Sequence, residues 1–214
     1  MEICVDAHEL LAAAKFLDAK KLTARPILNA VHVVSTEDGY VIESTDSYKI
    51  IRFTNNSEMP MRTIDGGEFS CIISADIIKH VVKASDKYAR ISCDAETSSV
   101  VTIETYKRAY VCGVNMTTAC VDGNYPPTDK FLSGNSKSDG NYTNIARLNA
   151  GYVSAACNAI ELAYGKNTHV DIRFGAENEP VFFGGIYELV KDEGEESGYK
   201  DVRRCDGVIM PIRM

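Results

Sequence analysis

"FSCIISADIIKHVVKASDKY", residues 69–88, sets a short apolar run before Ser74 and Ala75, then a stretch whose apolar residues recur at helical spacing. Ser74 has the side-chain oxygen that satisfies the free N–H groups of a first helical turn, so the pattern predicts strand, cap and helix. Ile77, Ile78, Val81 and Val82 form the apolar stripe of that helix. The same grammar occurs twice more. "EICVDAHELLAAAKFLDAKK" (2–21) has Asp6 and Ala7 at the junction, with Leu10, Leu11, Ala14 and Leu17 as its stripe. "IARLNAGYVSAACNAIELAYG" (145–165) has Asn149 and Ala150, and a stripe of Val153, Ala156, Ile160 and Leu162 diluted by alanine. Self-similarity of this kind marks a fold built from repeated supersecondary units.

β-rich segments broken by turn chemistry follow each helix. "AVHVVSTEDGYVIES" (30–44) turns at Glu-Asp-Gly, "YARISCDAETSSVVTIE" (88–104) at Asp94–Thr97, and "HVDIRFGAENEPVFFGG" (169–185) at Gly175–Asn178. The unit is therefore β-α-β-β-β, three times over, which predicts an α+β fold with helices on one face of antiparallel sheets. Residues 1–66 and 67–132 form two units of one complete domain, "SGNSKSDGN" (133–141) is a polar linker, and 142–214 is a single further unit. "KDEGEESGYKD" (191–201) reads as an exposed acidic spacer before the last strand.

Composition narrows the function classes. With 214 residues and 45% hydrophobic content the chain can bury a real core. No run approaches the roughly 18 apolar residues that span a bilayer, and "MEICVDAHEL" lacks a secretory start, so the expected compartment is the cytoplasm. The seven cysteines (Cys4, Cys71, Cys93, Cys112, Cys120, Cys157 and Cys205) include no CxxC pair and read as buried thiols. A net charge of −7 argues against a protein coated in nucleic-acid-binding surface but leaves room for a local basic patch. Enzyme signatures are missing: there is no Gly-rich phosphate loop, HExxH or GxSxG, and His8, His32, His80 and His169 have no ligand-like spacing. Asp46 of "STDS" has no acid/base partner in sequence, and Cys157 sits among alanines as a core thiol. The expectation is a protein that is not an enzyme and takes no cofactor and no metal.

Four segments in order, laid on this repeat, resemble the bacterial DNA polymerase III beta subunit, the sliding-clamp family. "VIMPIRM" (208–214) is similar to the family's C-terminal V-V-M-P-M-R-L, and "STDSYKIIR" (44–52) to its T-D-G-H-R-L segment. "VDGNYPPTDKFL" (121–132) resembles D-G-x-F-P-D-Y, and "LNAGYVSAACNAIE" (148–161) resembles N-x-x-Y-L-L-D-A-L. Ser47 stands where the family has glycine and Tyr48 where it has histidine.

The resemblance implies a DNA-clamp-like fold and a polymerase processivity factor that encircles double-stranded DNA without reading its sequence. It also implies a hydrophobic cleft for the peptide motifs of polymerase and clamp loader. Thr45, Tyr48, Lys49 and Ile50 would form one wall; Tyr125, Pro126 and Phe131 another; Val208, Met210, Pro211, Ile212 and Arg213 would close it. That gives the apolar tail "GVIMPIRM" a purpose, the alternative being a last buried strand. Phosphate would be met by Lys15, Lys20, Lys21 and Arg25, and by Lys79, Lys83 and Lys87, which are four apart and so predicted to form one stripe on the second helix. The third helix offers only Ser154 and Asn158 there, with Lys166 beyond its end.

The family chain has twice as many units as this one. Pairing of residues 142–214 between two chains would make a shared domain, and the family's ring of twelve units would then need four chains, a homo-oligomer. The rival expectation is an adaptor or decoy that keeps the cleft but does not encircle DNA.

Overall fold

The computed structural model describes residues 1–17, 25–56, 69–93, 99–108, 111–133, 146–166, 168–174, 179–191 and 199–211. β1 (Glu2–Asp6) runs into α1 (Ala7–Phe16), where Asp6 Oδ1 caps the helix by accepting from His8 N at 2.8 Å and Glu9 N at 3.3 Å. A 3-10 turn at Pro26–Asn29 leads into β2 (Ala30–Ser35), β3 (Tyr40–Thr45) and β4 (Lys49–Asn55). A second passage has the same order: β5 (Ser70–Ser74), α2 (Ala75–Val81), β6 (Tyr88–Cys93), β7 (Val100–Arg108) and β8 (Val111–Ala119). After the one-turn α3 (Asp129–Leu132) come α4 (Ala150–Tyr164), β9 (Asp171–Arg173), β10 (Val181–Lys191) and β11 (Tyr199–Ile209). The fold is α+β, built on two antiparallel sheets.

The opening strands are exchanged. β1 pairs with β6 and β5 pairs with β2, so each of the first two passages lends its first strand to the other's sheet. The result is a four-stranded sheet β1-β6-β7-β8 and a seven-stranded sheet β5-β2-β3-β4-β11-β10-β9. The third passage departs from expectation at this point, because Ala146–Asn149 form no strand and Ile145 lies outside the described residues. An opening strand here pairs only with a sister passage, and the third passage has none within the chain. The expected turns at 94–97 and 175–178, and most of 133–141 and 191–201, also lie outside the described residues. Lys191 and Tyr199 instead belong to the paired strands β10 and β11, which narrows the acidic spacer.

The Glu-Asp-Gly turn forms as expected, with Thr36 N donating to Gly39 O at 2.9 Å. A Cβ at Gly39 would lie 2.0 Å from Asn55 O, so glycine is what lets the ends of β3 and β4 close together.

α1 is buried nearly all round, through Ala7, Glu9, Leu10, Leu11, Ala12, Ala13, Ala14 and Phe16, with only Lys15 exposed at its end. It lies between α2 and α4, over strands of both sheets. The run Ala12–Ala14 meets a matching face of α4, where Ala156, Ala159, Ile160 and Ala163 are buried. Small residues on both faces let two helices approach closely. That is why Val153 and Leu162, members of the expected stripe, are only partly buried while the alanines are covered.

α2 is short. Val82 N closes its last bond to Ile78 O, and the buried Asp86 carboxylate then accepts from Lys83 N at 2.9 Å, turning the chain out of the helix. Ser74 makes no side-chain cap bond, unlike Asp6 and Asn149, whose Oδ1 accepts from Gly151 N at 2.8 Å. The expectation of uniformly buried cysteines also needs correction. Cys4, Cys71, Cys93 and Cys205 are buried and Cys120 partly so, but Cys112 on β8 and Cys157 on the outer side of α4 are exposed.

A buried polar cluster ties β11 to the first passage. Glu9, fully buried, accepts from Tyr40 Oη at 2.7 Å, from Asn55 Nδ2, and from Arg203 Nε and Nη2 at 3.1 and 2.8 Å. Arg203 Nη2 also reaches Asp6 Oδ2 at 3.0 Å. Burial pushes the Glu9 carboxyl above its ordinary range, opposed chiefly by the Arg203 charge.

Candidate functional site

The β3–β4 turn, the end of β11 and the segment from Tyr125 to Phe131 converge on one cleft of about 240 Å³. The turn is stiff for local reasons. Asp46 Oδ1 accepts from Tyr48 N and Lys49 N, both at 3.0 Å, and Thr45 Oγ1 donates to Lys49 O at 3.0 Å. Asp46 is thus a turn residue. Ser47 takes a left-handed conformation, φ 76°, which glycine adopts without strain. β11 pairs with β4 so that Val208 faces Ile50 and Ile209 faces Lys49, and Met210 N donates to Tyr48 O at 2.9 Å. The tail is therefore a buried strand through Ile209 and a cleft wall at Val208 and Met210.

Thr45, Tyr48, Lys49, Ile50, Pro126, Phe131, Val208 and Met210 all line the cleft. So do Leu28, Ser47 and Thr128, which sequence reasoning missed. Leu28 enters from the 3-10 turn Pro26–Asn29, in a position no local pattern signals. Tyr125 does not line the cleft. Its ring stacks on His32 with centroids 4.7 Å apart and its hydroxyl donates to Glu43 O at 3.2 Å, so it anchors the segment from below. Pro211 is half-buried beside the cleft without lining it, and Ile212 and Arg213 lie outside the described residues.

Lys49 contributes its stem rather than its charge. Its Nζ is buried, donates to Phe16 O at the end of α1, lies 3.6 Å from Asp46 Oδ2, and sits 3.8 Å from the centroid of the Phe16 ring. The rim is aromatic and open: Tyr48 is 60% exposed and stacks on Tyr152 of α4 at 6.3 Å, and Phe131 is 47% exposed. Beneath the Tyr125–Phe131 segment, Glu43 accepts from Thr128 Oγ1 at 2.5 Å and from Arg52 Nε and Nη2 at 3.0 and 2.8 Å, and meets His32 Nδ1 at 3.0 Å. Arg52 also reaches Asp129 at 2.6 Å. Burial pushes the Glu43 carboxyl up, but hydrogen bonds from His32 and Thr128 and the Arg52 guanidinium outweigh it and hold the group below its ordinary range.

The basic residues do not form the single stripe expected. Lys79 is on α2, within 3.7 Å of Asp76, whereas Lys83 and Lys87 fall beyond the helix in the turn that Asp86 caps. Lys83 Nζ donates to His80 O. That turn lies against the start of α1, since Ala7 N donates to Lys87 O at 3.1 Å. Lys15 is near the other end of α1, about 12 Å along the axis at 1.5 Å per residue. Arg25 is exposed, and Lys20 and Lys21 lie outside the described residues. On α4, Ser154 and Asn158 border a groove of about 320 Å³ shared with Lys15, and Lys166 is exposed after the helix. Among the described residues no cluster of His, Cys, Asp or Glu could hold a metal, and no helix is long and apolar enough to cross a membrane.

No protein-family model matches the sequence, and neither does any curated protein. Solved structures do match along the whole chain. The beta subunit from the DNA polymerase of Streptococcus pyogenes superposes with a TM-score of 0.61 at 14% identity, covering 100% of this chain and 66% of that one. The Helicobacter pylori beta clamp in complex with diflunisal gives 0.63 at 12%, again with 100% and 66% covered. The Archaeoglobus fulgidus PCNA solved with the C-terminal region of FEN-1 gives 0.57 at 11%, covering 100% of this chain and 98% of that one. The chain thus spans about two thirds of the bacterial clamps it matches. At such identities the likeness is one of fold, and that fold is the sliding clamp's.

Proposed function

We propose, with the sliding-clamp fold as premise, that the chain is a DNA sliding clamp, a non-catalytic processivity factor of a DNA polymerase. Four chains, paired in part through residues 142–214, would close round duplex DNA, and short apolar peptides of polymerase and loader would seat in the cleft. The observation that carries the reading is the cleft itself. Three segments far apart in sequence meet there, with Ile50, Pro126, Phe131, Val208 and Met210 around a space open to solvent. A concave site with a buried apolar floor at Ile50 and Val208 and an exposed Phe131 at its rim suits helical or extended peptide anchors, and Met210 adds an adaptable surface.

The test is titration of a fluorescent hexapeptide carrying two large apolar residues, by anisotropy. Phe131→Ala and Met210→Ala should each weaken binding by roughly 30-fold, the equivalent of about 2 kcal/mol at an interface hot spot. Unchanged affinity in both variants would remove the cleft from the account. Retention on closed circular DNA, lost when the circle is cut, checks encirclement independently.

A second reading has its own support. The near-complete burial of α1 and the separation of Lys15 from Lys83 and Lys87 leave little continuous basic face, which favours an adaptor that binds the same peptides without encircling DNA. Peptide binding with no topology-dependent retention would select it.

A further inference from the structure

Three of the seven cysteines meet where the two sheets join. Cys71 lies within β5, opposite Val33 of β2; Cys93 ends β6; and Cys120 is the first residue past β8. Backbone bonds hold the junction: Val121 N donates to Ile72 O at 2.9 Å, Cys120 N to Ser99 O at 2.8 Å and Cys93 N to Met1 O at 2.9 Å. The thiols of Cys71 and Cys120 both hydrogen-bond to the Cys93 sulfur. The Cys71 bond chiefly, helped by the Cys120 bond and opposed by burial, holds the Cys93 thiol below its ordinary range. The bond to Cys93 and burial raise Cys71, and burial pushes the Cys120 thiol up to about 11. One sulfur is thus set up as the thiolate and two as its S–H donors. The donors differ in freedom. Cys71 is 5% exposed and fixed in a ladder, whereas Cys120 is partly exposed and outside any strand.

We propose that Cys93 and Cys120 form a reversible oxidation site for small peroxides, closing a disulfide with each other while Cys71 holds the Cys93 sulfur in place. The Cys93 thiolate attacks one oxygen of the peroxide and the O–O bond breaks. Cys93 becomes a sulfenic acid, and the other oxygen leaves as water or an alcohol, taking up the proton that Cys93 gave up. The Cys120 sulfur then attacks the Cys93 sulfur. The S–O bond breaks, and the hydroxyl leaves as water with the Cys120 proton. The two sulfurs together lose two electrons, which the peroxide gains. Cys120 is the partner for two reasons. A sulfur outside the ladders closes from hydrogen-bond distance to an S–S bond more readily than one fixed in β5, and its partial exposure admits a reducing thiol. A disulfide that forms and is released in this way is the kind that suits a thiol-reducing compartment. The site rests neither on the cleft nor on DNA.

Peptide mapping tests this on the full chain, treated with equimolar hydrogen peroxide, capped with an alkylating reagent, digested and weighed by mass spectrometry. A Cys93–Cys120 peptide pair short of two hydrogens and released by dithiothreitol is the expected product, formed before Cys112 or Cys157 is oxidised. Those two thiols are exposed, so access alone would favour them, and their oxidation ahead of Cys93 overturns the proposal. So does a Cys71–Cys93 pair, or Cys93 carried straight to sulfinic acid. Cys120→Ser should lose the cross-link and leave at Cys93 a sulfenic acid that dimedone traps. Cys71→Ala should slow the reaction several-fold with circular dichroism unchanged, and an undiminished rate in the folded variant overturns the part given to Cys71. The map of the unaltered chain needs no variant and decides the proposal even where a substitution prevents folding.

Discussion

At Ser47 a single dihedral records a substitution that sequence comparison only noted. The residue is left-handed, φ 76°, in a turn otherwise held by Asp46 and Thr45. A side chain costs about 1 kcal/mol in that region, part of which glycine returns in unfolded-state entropy. Ser47→Gly should therefore raise stability by about 0.5 kcal/mol in urea unfolding. Glu43 makes a prediction in pH. Its carboxyl is held below the ordinary 4.5 in the folded chain, so its pairing stabilises fully above that value and is lost as pH falls through the depressed one. Glu9, raised by burial, acts in the opposite sense, opposing folding as pH climbs above 4.5 through its raised value. Acidification from 4.5 down through the depressed Glu43 value should thus loosen the Tyr125–Phe131 segment. Protection of the Phe131 and Leu132 amides, which both bond to Thr128 O, is the measurement, and Glu43→Gln should flatten its pH dependence.

Among the elements, β11 is fastened twice, by its ladder to β4 and by Arg203 to Glu9 and Asp6. Removing the arginine leaves a fully buried carboxylate without its cation, and breaking such a pair costs about 3–5 kcal/mol. Arg203→Ala should show that loss in chemical denaturation, and Arg203→Ala with Glu9→Gln should recover part of it. β10 depends on Gly184, where φ is 156° and a Cβ would meet Cys205 O at 2.1 Å. Gly184→Ala should destabilise by at least about 1–3 kcal/mol, since the obstacle is backbone and cannot swing aside. α1 shows how an element's neighbours change its meaning. Its periodicity marks one apolar face, but α4 and α2 cover both flanks, so its surface is nearly spent before any ligand arrives.

For the whole molecule, the exchange of β1 and β5 makes the first two passages one folding unit, each sheet incomplete without the other's strand. Residues 1–66 expressed alone should therefore lack a cooperative transition, whereas 1–132 should retain one; circular dichroism melting of the two fragments decides it. The third passage has no sister to exchange with, and β9 is left as a short edge.

Local rules made much of this legible. Cap residues, helical stripes and turn chemistry at Asp6, Asn149 and Gly39 are readable because each acts within a few residues. The α+β fold followed, whereas the residues that line the cleft came from the resemblance of short motifs at 44–52, 121–132 and 208–214 to a known family. Tertiary structure alone decided the rest. Which sheet receives an opening strand, that Tyr125 anchors while Leu28 lines, that the Lys49 ammonium is buried against Phe16, and that Lys83 leaves the helix all depend on residues far away in sequence. Periodicity states which face of an element is apolar, but only packing determines what covers it.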